Sequence, residues 1–110
     1  MTENEIGYKV RGACFSVYNT LGSGLLESAY ERALIIELQD LGFTVKSQVS
    51  LDISYKKRVI DSAYRLDLLV EDCVIVEIKS VEHLQPVHHK QLITYLKLSG
   101  LKLGYLVNFN

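Results

Sequence analysis

Apolar residues at Ile6, Val10, Ala13, Cys14, Val17 and Leu21 recur at steps of three and four, the period of an amphipathic helix, and predict a first helix from Ile6 to Leu21. Gly22-Ser23-Gly24 interrupts the pattern. It resumes from Leu25 to Leu41 through Leu26, Ala29, Ala33, Leu34, Ile36, Leu38 and Leu41, with Gly42 placed as a helix terminator. After Gly42 the period drops to two at Val45, Ser47, Val49, Leu51 and Ile53, which predicts strands. Tyr55-Lys56-Lys57 reads as a hairpin turn, Arg58 to Val70 as a long second strand and Glu71-Asp72 as a second turn. Cys73 to Lys79 reads as a third strand whose nearly continuous apolar run places it centrally in the sheet. Pro86 suits a first helical turn, and Val87 to Ser99 carries Leu92, Ile93, Leu96 and in part Tyr95 on one face before Gly100. Lys102 to Phe109 returns to a strand. The order predicts an α/β (α+β) domain: a helical hairpin, then a mixed four-stranded sheet with a crossover helix before the last strand, the crossover being right-handed.

Three ionisable side chains cut across this apolar pattern. Asp67 follows Leu66, and Glu77 and Lys79 interrupt Val74-Ile75-Val76-Glu77-Ile78-Lys79. Such groups are rarely buried alone, so they call for a metal, a mutual network or a solvent cleft. Alternate strand residues share a face, so Glu77 and Lys79 project together while Val76 and Ile78 enter the core. Asp67 joins them only with an odd loop, a bulge or strong local twist. A three-residue loop over Val70 to Asp72 pairs Leu69 with Cys73 and brings Asp67 to the Glu77 face, whereas a two-residue loop sends it to the other. On spacing alone, a structural ion-pair network at a sheet edge explains the three charges as well as a catalytic site does.

With 110 residues the chain is long enough for one core, read as a single domain over 1–110. A composition that is 48% hydrophobic and 23% charged, with one proline, argues against disorder. Cys14 and Cys73 lie in apolar contexts with no paired-cysteine motif and read as reduced, buried thiols of a cytoplasmic protein. The polar start from Met1 to Glu5 lacks a signal-peptide pattern, and no apolar run is long enough to span a bilayer. A net charge of −1 excludes duplex binding by bulk attraction and leaves room only for a local basic face. Lys56-Lys57-Arg58 at the hairpin tip is the best sequence candidate for a nucleic-acid arm, against the ordinary reading of a solvated turn. His83, His88 and His89 have no metal-ligand spacing and read as surface histidines, with His88 or His89 near a helix start within reach of a phosphate.

An acid on one strand followed by Glu-x-Lys on the next resembles the PD-(D/E)XK nuclease superfamily. Gly24-Leu25-Leu26-Glu27-Ser28-Ala29-Tyr30 is similar to the signature of the GxxExxY proteins within it, and Gln91-Leu92-Ile93-Thr94-Tyr95 follows on the last helix. The resemblance covers nearly the whole chain, with Leu66 rather than a proline before Asp67. It implies that Asp67 and Glu77 are ligands of a divalent cation, Mg2+ or Mn2+, with the Ile78 carbonyl a third ligand and Glu27 a further acid from the helical layer. It also implies that Lys79 orients or deprotonates the attacking water, and that Gln91 and Tyr95 contact the scissile phosphate or hold Lys79. Hard oxygen ligands suit those cations. For Glu27 a surface pair with Arg32 is the ordinary alternative, and Tyr30 reads as packing.

The reading is a cytoplasmic, metal-dependent nuclease that hydrolyses phosphodiester bonds in DNA, expected as a homodimer because one small domain offers little binding surface. Two alternatives stay open: a catalytically silent nuclease-fold binding or assembly module, and hydrolysis of a small nucleotide.

Overall fold

A computed structural model describes residues 1–110. Helix α1 spans Glu3–Leu21 and α2 spans Glu27–Asp40. Strands follow at β1 Val45–Tyr55, β2 Arg58–Val70 and β3 Val74–Lys79, then helix α3 Pro86–Ser99 and strand β4 Leu103–Asn108. The sheet order is β1-β2-β3-β4; the first three strands are antiparallel, and β4 lies parallel to β3 across the α3 connection. The predicted architecture is therefore the observed one, with β3 in the sheet interior.

The boundaries differ where capping overrides apolar periodicity. Helix α1 begins three residues before Ile6 because Thr2 and Glu5 form a reciprocal cap: the Glu5 N–H donates to Thr2 Oγ1 at 3.2 Å and the Thr2 N–H to Glu5 Oε1 at 3.3 Å. Helix α2 begins at Glu27, two residues after Leu25. It ends as predicted around Gly42, whose φ of 89° lets the Phe43 N–H reach back to the Leu38 carbonyl at 3.1 Å.

Helices α1 and α2 cover one face of the sheet, burying Val10, Leu34 and Leu38 against Leu68, Val70, Val74, Val76 and Ile78. Helix α3 covers the other, where Tyr95, Leu92 and Leu96 meet Leu66, Ile75 and Leu51. The α3 face expected from the sequence is thus rotated: Tyr95 is buried, and Ile93 is 57% exposed because it lies on the far side of the helix. Tyr30 is wholly buried, stacked on Phe109 at 4.6 Å, and its hydroxyl donates to the Gly22 carbonyl while accepting the Leu25 N–H. It ties the α1–α2 connection to the core, the packing role read from its position.

Gly7 carries the close approach of α1 to β4, since a β-carbon there would collide with the Tyr105 hydroxyl and touch Leu103. Gly12, on the open side of the same helix, has nothing near it. Gly7→Val is expected to cost about 1–3 kcal/mol through overpacking, and Gly12→Ala to gain about 0.5–1 kcal/mol through helix propensity. Urea denaturation of the two variants checks both signs.

Candidate active site

The β2–β3 pairing runs Val70 with Val74, Leu69 with Ile75 and Leu68 with Val76, so a three-residue loop, Glu71–Cys73, joins the strands. The loop is odd, as an active site required, but it lies one residue later than Val70 to Asp72, and β3 starts at Val74 rather than Cys73. Glu71 and Asp72 adopt positive φ, closing the turn where the sequence offers no glycine. The register then sets Asp67 directly opposite Glu77.

At this position the regular ladder stops. The Asp67 N–H donates to Glu77 Oε2 at 2.8 Å, and the Ile78 N–H donates to Asp67 Oδ2 at 2.8 Å. Each carboxylate takes a backbone amide of the facing strand, so the two acids stand in the gap between β2 and β3. The strand also changes face here. Leu66 and Leu68, two apart and both fully buried, pack on opposite sides of the sheet, Leu66 with Tyr95 and Leu68 with the α1–α2 core. Strict alternation would put both on one side. Across the sheet Val45 and Val49 make the same switch, around Gln48 at φ 52°, a conformation that costs a non-glycine residue about 1 kcal/mol. A coordinated break in β1 and β2 therefore turns Asp67 sideways toward β3.

Glu77 is 3% exposed and is the one buried charged residue of the chain. Burial pushes its carboxyl up to about 7; the Asp67 amide and Lys79 pull it down, and the Asp67 and Glu31 charges push it up. No carboxylate oxygen lies within ion-pair distance of Lys79, because the chain's ion pairs are Lys46 with Asp72 at 2.7 Å and His83 with Glu82 at 3.7 Å, both exposed. The sheet-edge ion-pair network is thus not what holds Asp67, Glu77 and Lys79. Two carboxylates are gathered with amides as partners and with Lys79 alongside on the same strand, so ionisation of Glu77 places a second negative charge beside Asp67.

The helical acid that this pair feels is Glu31, not Glu27. Glu31 is half-buried, its carboxyl raised by burial, lowered by Gln48 and raised further by Asp67. Gln48 Nε2 donates to both its oxygens, at 3.0 and 3.2 Å. Glu27, one turn earlier, is exposed and accepts the Ser80 N–H at 3.1 Å, while Ser80 Oγ donates to the Leu25 carbonyl at 3.0 Å. Glu27 forms no ion pair with Arg32. Asn108 completes the clamp, accepting the Val81 N–H at 3.0 Å and donating to the Val81 carbonyl at 2.8 Å. The segment Gly24–Tyr30 thus fastens the chain immediately after Lys79, which fixes where that lysine leaves the sheet. Glu31 and Gln48 escaped the sequence reading. The i, i+4 relation of Glu27 and Glu31 was a signal for the first, whereas Gln48 is recognisable only once β1 is in register with Asp67.

Tyr95 completes the site from the α3 side. Burial pushes its phenol up to about 12, with the Glu77 and Asp67 charges adding to the shift, so the hydroxyl stays protonated and able to donate; its ring meets Tyr64 edge-on at 5.7 Å. Gln91, one turn before it, is half-buried, and its side-chain amide makes no hydrogen bond within the chain. The histidines stand apart: His88 Nδ1 accepts the Gln85 N–H at 3.0 Å as part of the α3 cap, and His83 is a surface group. Burial pushes the Cys14 thiol up to about 12, and both cysteines are free.

The donor set fits a hard divalent cation. Asp67 and Glu77 each have one oxygen held by an amide and a second free for a ligand. The N–H and C=O of a strand residue leave by the same edge, so the Ile78 carbonyl projects into the gap that its N–H enters. No three His, Cys, Asp or Glu side chains converge here, so the chain offers two carboxylates and one carbonyl, and a cation held by them takes its remaining ligands from water. A groove of about 540 Å³ between α1 and β4 contains no Asp or Glu side chain and is separate from this chemistry.

No curated protein and no solved structure matches the chain. The profile of the PD-(D/E)XK nuclease superfamily matches residues 4–110, and the chain belongs to that superfamily.

Proposed function

We propose that this member of the PD-(D/E)XK nuclease superfamily is a metal-dependent phosphodiesterase of the GxxExxY kind that cleaves DNA. Asp67, Glu77 and the Ile78 carbonyl would hold Mg2+ or Mn2+. Such a cation supplies positive charge against the phosphate and a more acidic water. Lys79, on the same strand face as Glu77, would orient the attacking water from its ammonium group or, as the neutral amine, accept that water's proton. Tyr95 donates from its protonated hydroxyl to a phosphate oxygen, Gln91 offers its amide one turn away, and Glu31, held by Gln48, adds negative charge near Asp67. Glu27 is a positioning residue: it holds Ser80 and, through it, the origin of Lys79. The observation that carries this reading is the pair of carboxylates drawn together across β2 and β3 by amides, with Glu77 buried and in no ion pair. The chain works as one unit over 1–110, in the cytoplasm with its thiols reduced, and as a homodimer that doubles a small binding surface.

Incubation of supercoiled, single-stranded and branched DNA with protein in Mg2+, Mn2+ or EDTA tests it. Cleavage is expected with either cation and none in EDTA. Lys79→Met is expected to lower the rate by at least about 10²-fold while Mn2+ affinity changes little. Absence of cleavage of every polymer with both cations would overturn the proposal, and hydrolysis confined to mononucleotide esters would assign the protein to small-nucleotide chemistry.

A further inference from the structure

The β1–β2 hairpin reaches well beyond the rest of the sheet. Strand β3 pairs only with Leu68–Val70, whereas β1 and β2 continue together to Tyr55 and Arg58. From Asp52 to Arg65 every residue except Ile53 and Ala63 is exposed, so the outer hairpin is an arm. An isolated two-stranded ribbon is marginally stable in water, yet this one exposes Tyr55, Val59 and Ile60, at 62%, 63% and 48%.

The arm is charged unlike the body. Residues 50–65 carry Lys56, Lys57, Arg58 and Arg65 against Asp52 and Asp61, a net +2 in a chain of net −1, which leaves −3 for the remainder. Its turn is strained in the service of that charge. Lys56 and Lys57 are the two central residues, at φ 51° and 61°, a conformation for which Asn-Gly is the favoured pair. Side chains with a β-carbon are disfavoured in that conformation, so the two lysines hold their charges at the turn against the backbone preference.

The arm also continues the site. Leu51 pairs with Tyr64, whose ring touches Tyr95, and Ile53 and Tyr55 follow Leu51 at alternate positions, opposite Ile60 and Arg58. Between Leu51–Tyr64 and Ile53–Ile60 the pairing steps two residues on β1 and four on β2, with Ser62 at φ 50°, so the ribbon bulges there; it still runs outward from the strand that carries Asp67, past Tyr64 against Tyr95, to Tyr55 and Arg58 at its tip. From Gln48, opposite Asp67, to Tyr55 is a path of roughly 23 Å at strand rise, or about seven base-pair steps.

We infer that the β1–β2 arm binds the phosphodiester backbone of the nucleic acid being cleaved, with Lys56, Lys57 and Arg58 contacting phosphates about seven nucleotides from the reacting one. The occupant follows from charge complementarity and from continuity with the acid pair. The inference rests on the phosphodiesterase reading, since the arm extends that site.

The variant Lys56→Asn/Lys57→Gly/Arg58→Thr removes three charges and gives the turn its preferred residues, so folding is preserved. Fluorescence anisotropy in EDTA, with a labelled DNA duplex, the same sequence as an RNA duplex and a DNA single strand, reads binding apart from cleavage. At 0.1 M salt the variant is expected to bind at least about tenfold more weakly, and its slope of log K against log salt on DNA duplex to shrink by about two to three. Hydrolysis of bis(p-nitrophenyl) phosphate with Mn2+ is expected to be unchanged, because so small an ester does not reach the arm. Equal binding by variant and wild type overturns the inference, as does a wild type that binds none of the three ligands. Dissociation of a dimer on sedimentation with DNA affinity intact also overturns it, giving the arm to a second copy. Arm-dependent binding by a wild type that hydrolyses neither ester nor DNA would retain the arm and overturn the phosphodiesterase reading alone.

Discussion

Asp67→Asn is expected to abolish DNA cleavage, lowering the single-turnover rate by at least about 10³-fold, while leaving the protein folded. The substitution is selective because the structure uses Asp67 in two separable ways. One oxygen accepts the Ile78 N–H at 2.8 Å, and an asparagine carbonyl oxygen accepts the same hydrogen bond. The other property, negative charge in the gap beside Glu77, is lost. Removing that charge also withdraws one of the influences that raise Glu77, so the Glu77 carboxyl becomes more acidic in the variant. Thermal denaturation close to wild type together with loss of cleavage is the expected pair of results. A variant that retains activity within tenfold would show that Asp67 serves the strand gap and not the reaction.

Glu77 supplies the second large effect, a stability that falls as pH rises. Its folded carboxyl titrates at about 7, above the ordinary 4.5, so the native state binds the proton more tightly than the unfolded chain. The contribution of protonated Glu77 is fully present below about 4.5 and is lost as pH rises through about 7, at up to about 1.4 kcal/mol per unit between the two values. Glu31 shifts in the same direction and adds to it. Glu77→Gln keeps an acceptor for the Asp67 N–H and cannot ionise, so the variant is expected to be more stable than wild type at pH 8 and about equal to it at pH 4.5. Urea denaturation of both proteins at a series of pH values in EDTA reads the difference directly. Mn2+ is expected to reverse the order at pH 8, because a cation binds the ionised carboxylate and stabilises only the protein that has one. Parallel pH profiles for the two proteins would contradict the burial of charge on which this rests.

Most of the fold was legible because its elements announce themselves by period. Val10, Ala13, Cys14 and Val17 mark α1, and the shift to alternation at Val45 marks the sheet. The misplaced ends share a cause: the polar first turn built by Thr2 and Glu5 has no apolar signal, and Leu25 and Leu26 carry an apolar signal without helix. The face of α3 was misjudged because Ile93 is as apolar as Leu92, and only the position of Ile75 and Leu66 decides that Tyr95 turns inward. In the candidate site Asp67, Glu77 and Lys79 stood out as charges in apolar strands, whereas their geometry did not. Sequence parity assumes that a strand keeps its faces, and here Leu66 and Leu68 pack on opposite sides. The break that aims Asp67 at β3 is shared with Gln48 on β1, a relation of register that no local pattern contains. Glu31 was passed over for Glu27 because the helix offers both on one side, and only the docking of α2 against Ser80 and Gln48 separates them.

Calorimetric titration of Mn2+ into wild type, Asp67→Asn and Glu77→Gln at pH 7.5 tests the central claim most directly, that the gap between β2 and β3 is a cation site. The account predicts saturable binding by wild type, accompanied by proton release from Glu77, and binding lost or weakened by at least about tenfold in each variant. A wild type that binds no Mn2+, or variants that bind it as tightly as wild type, would contradict the claim and leave a nuclease fold serving as a binding module.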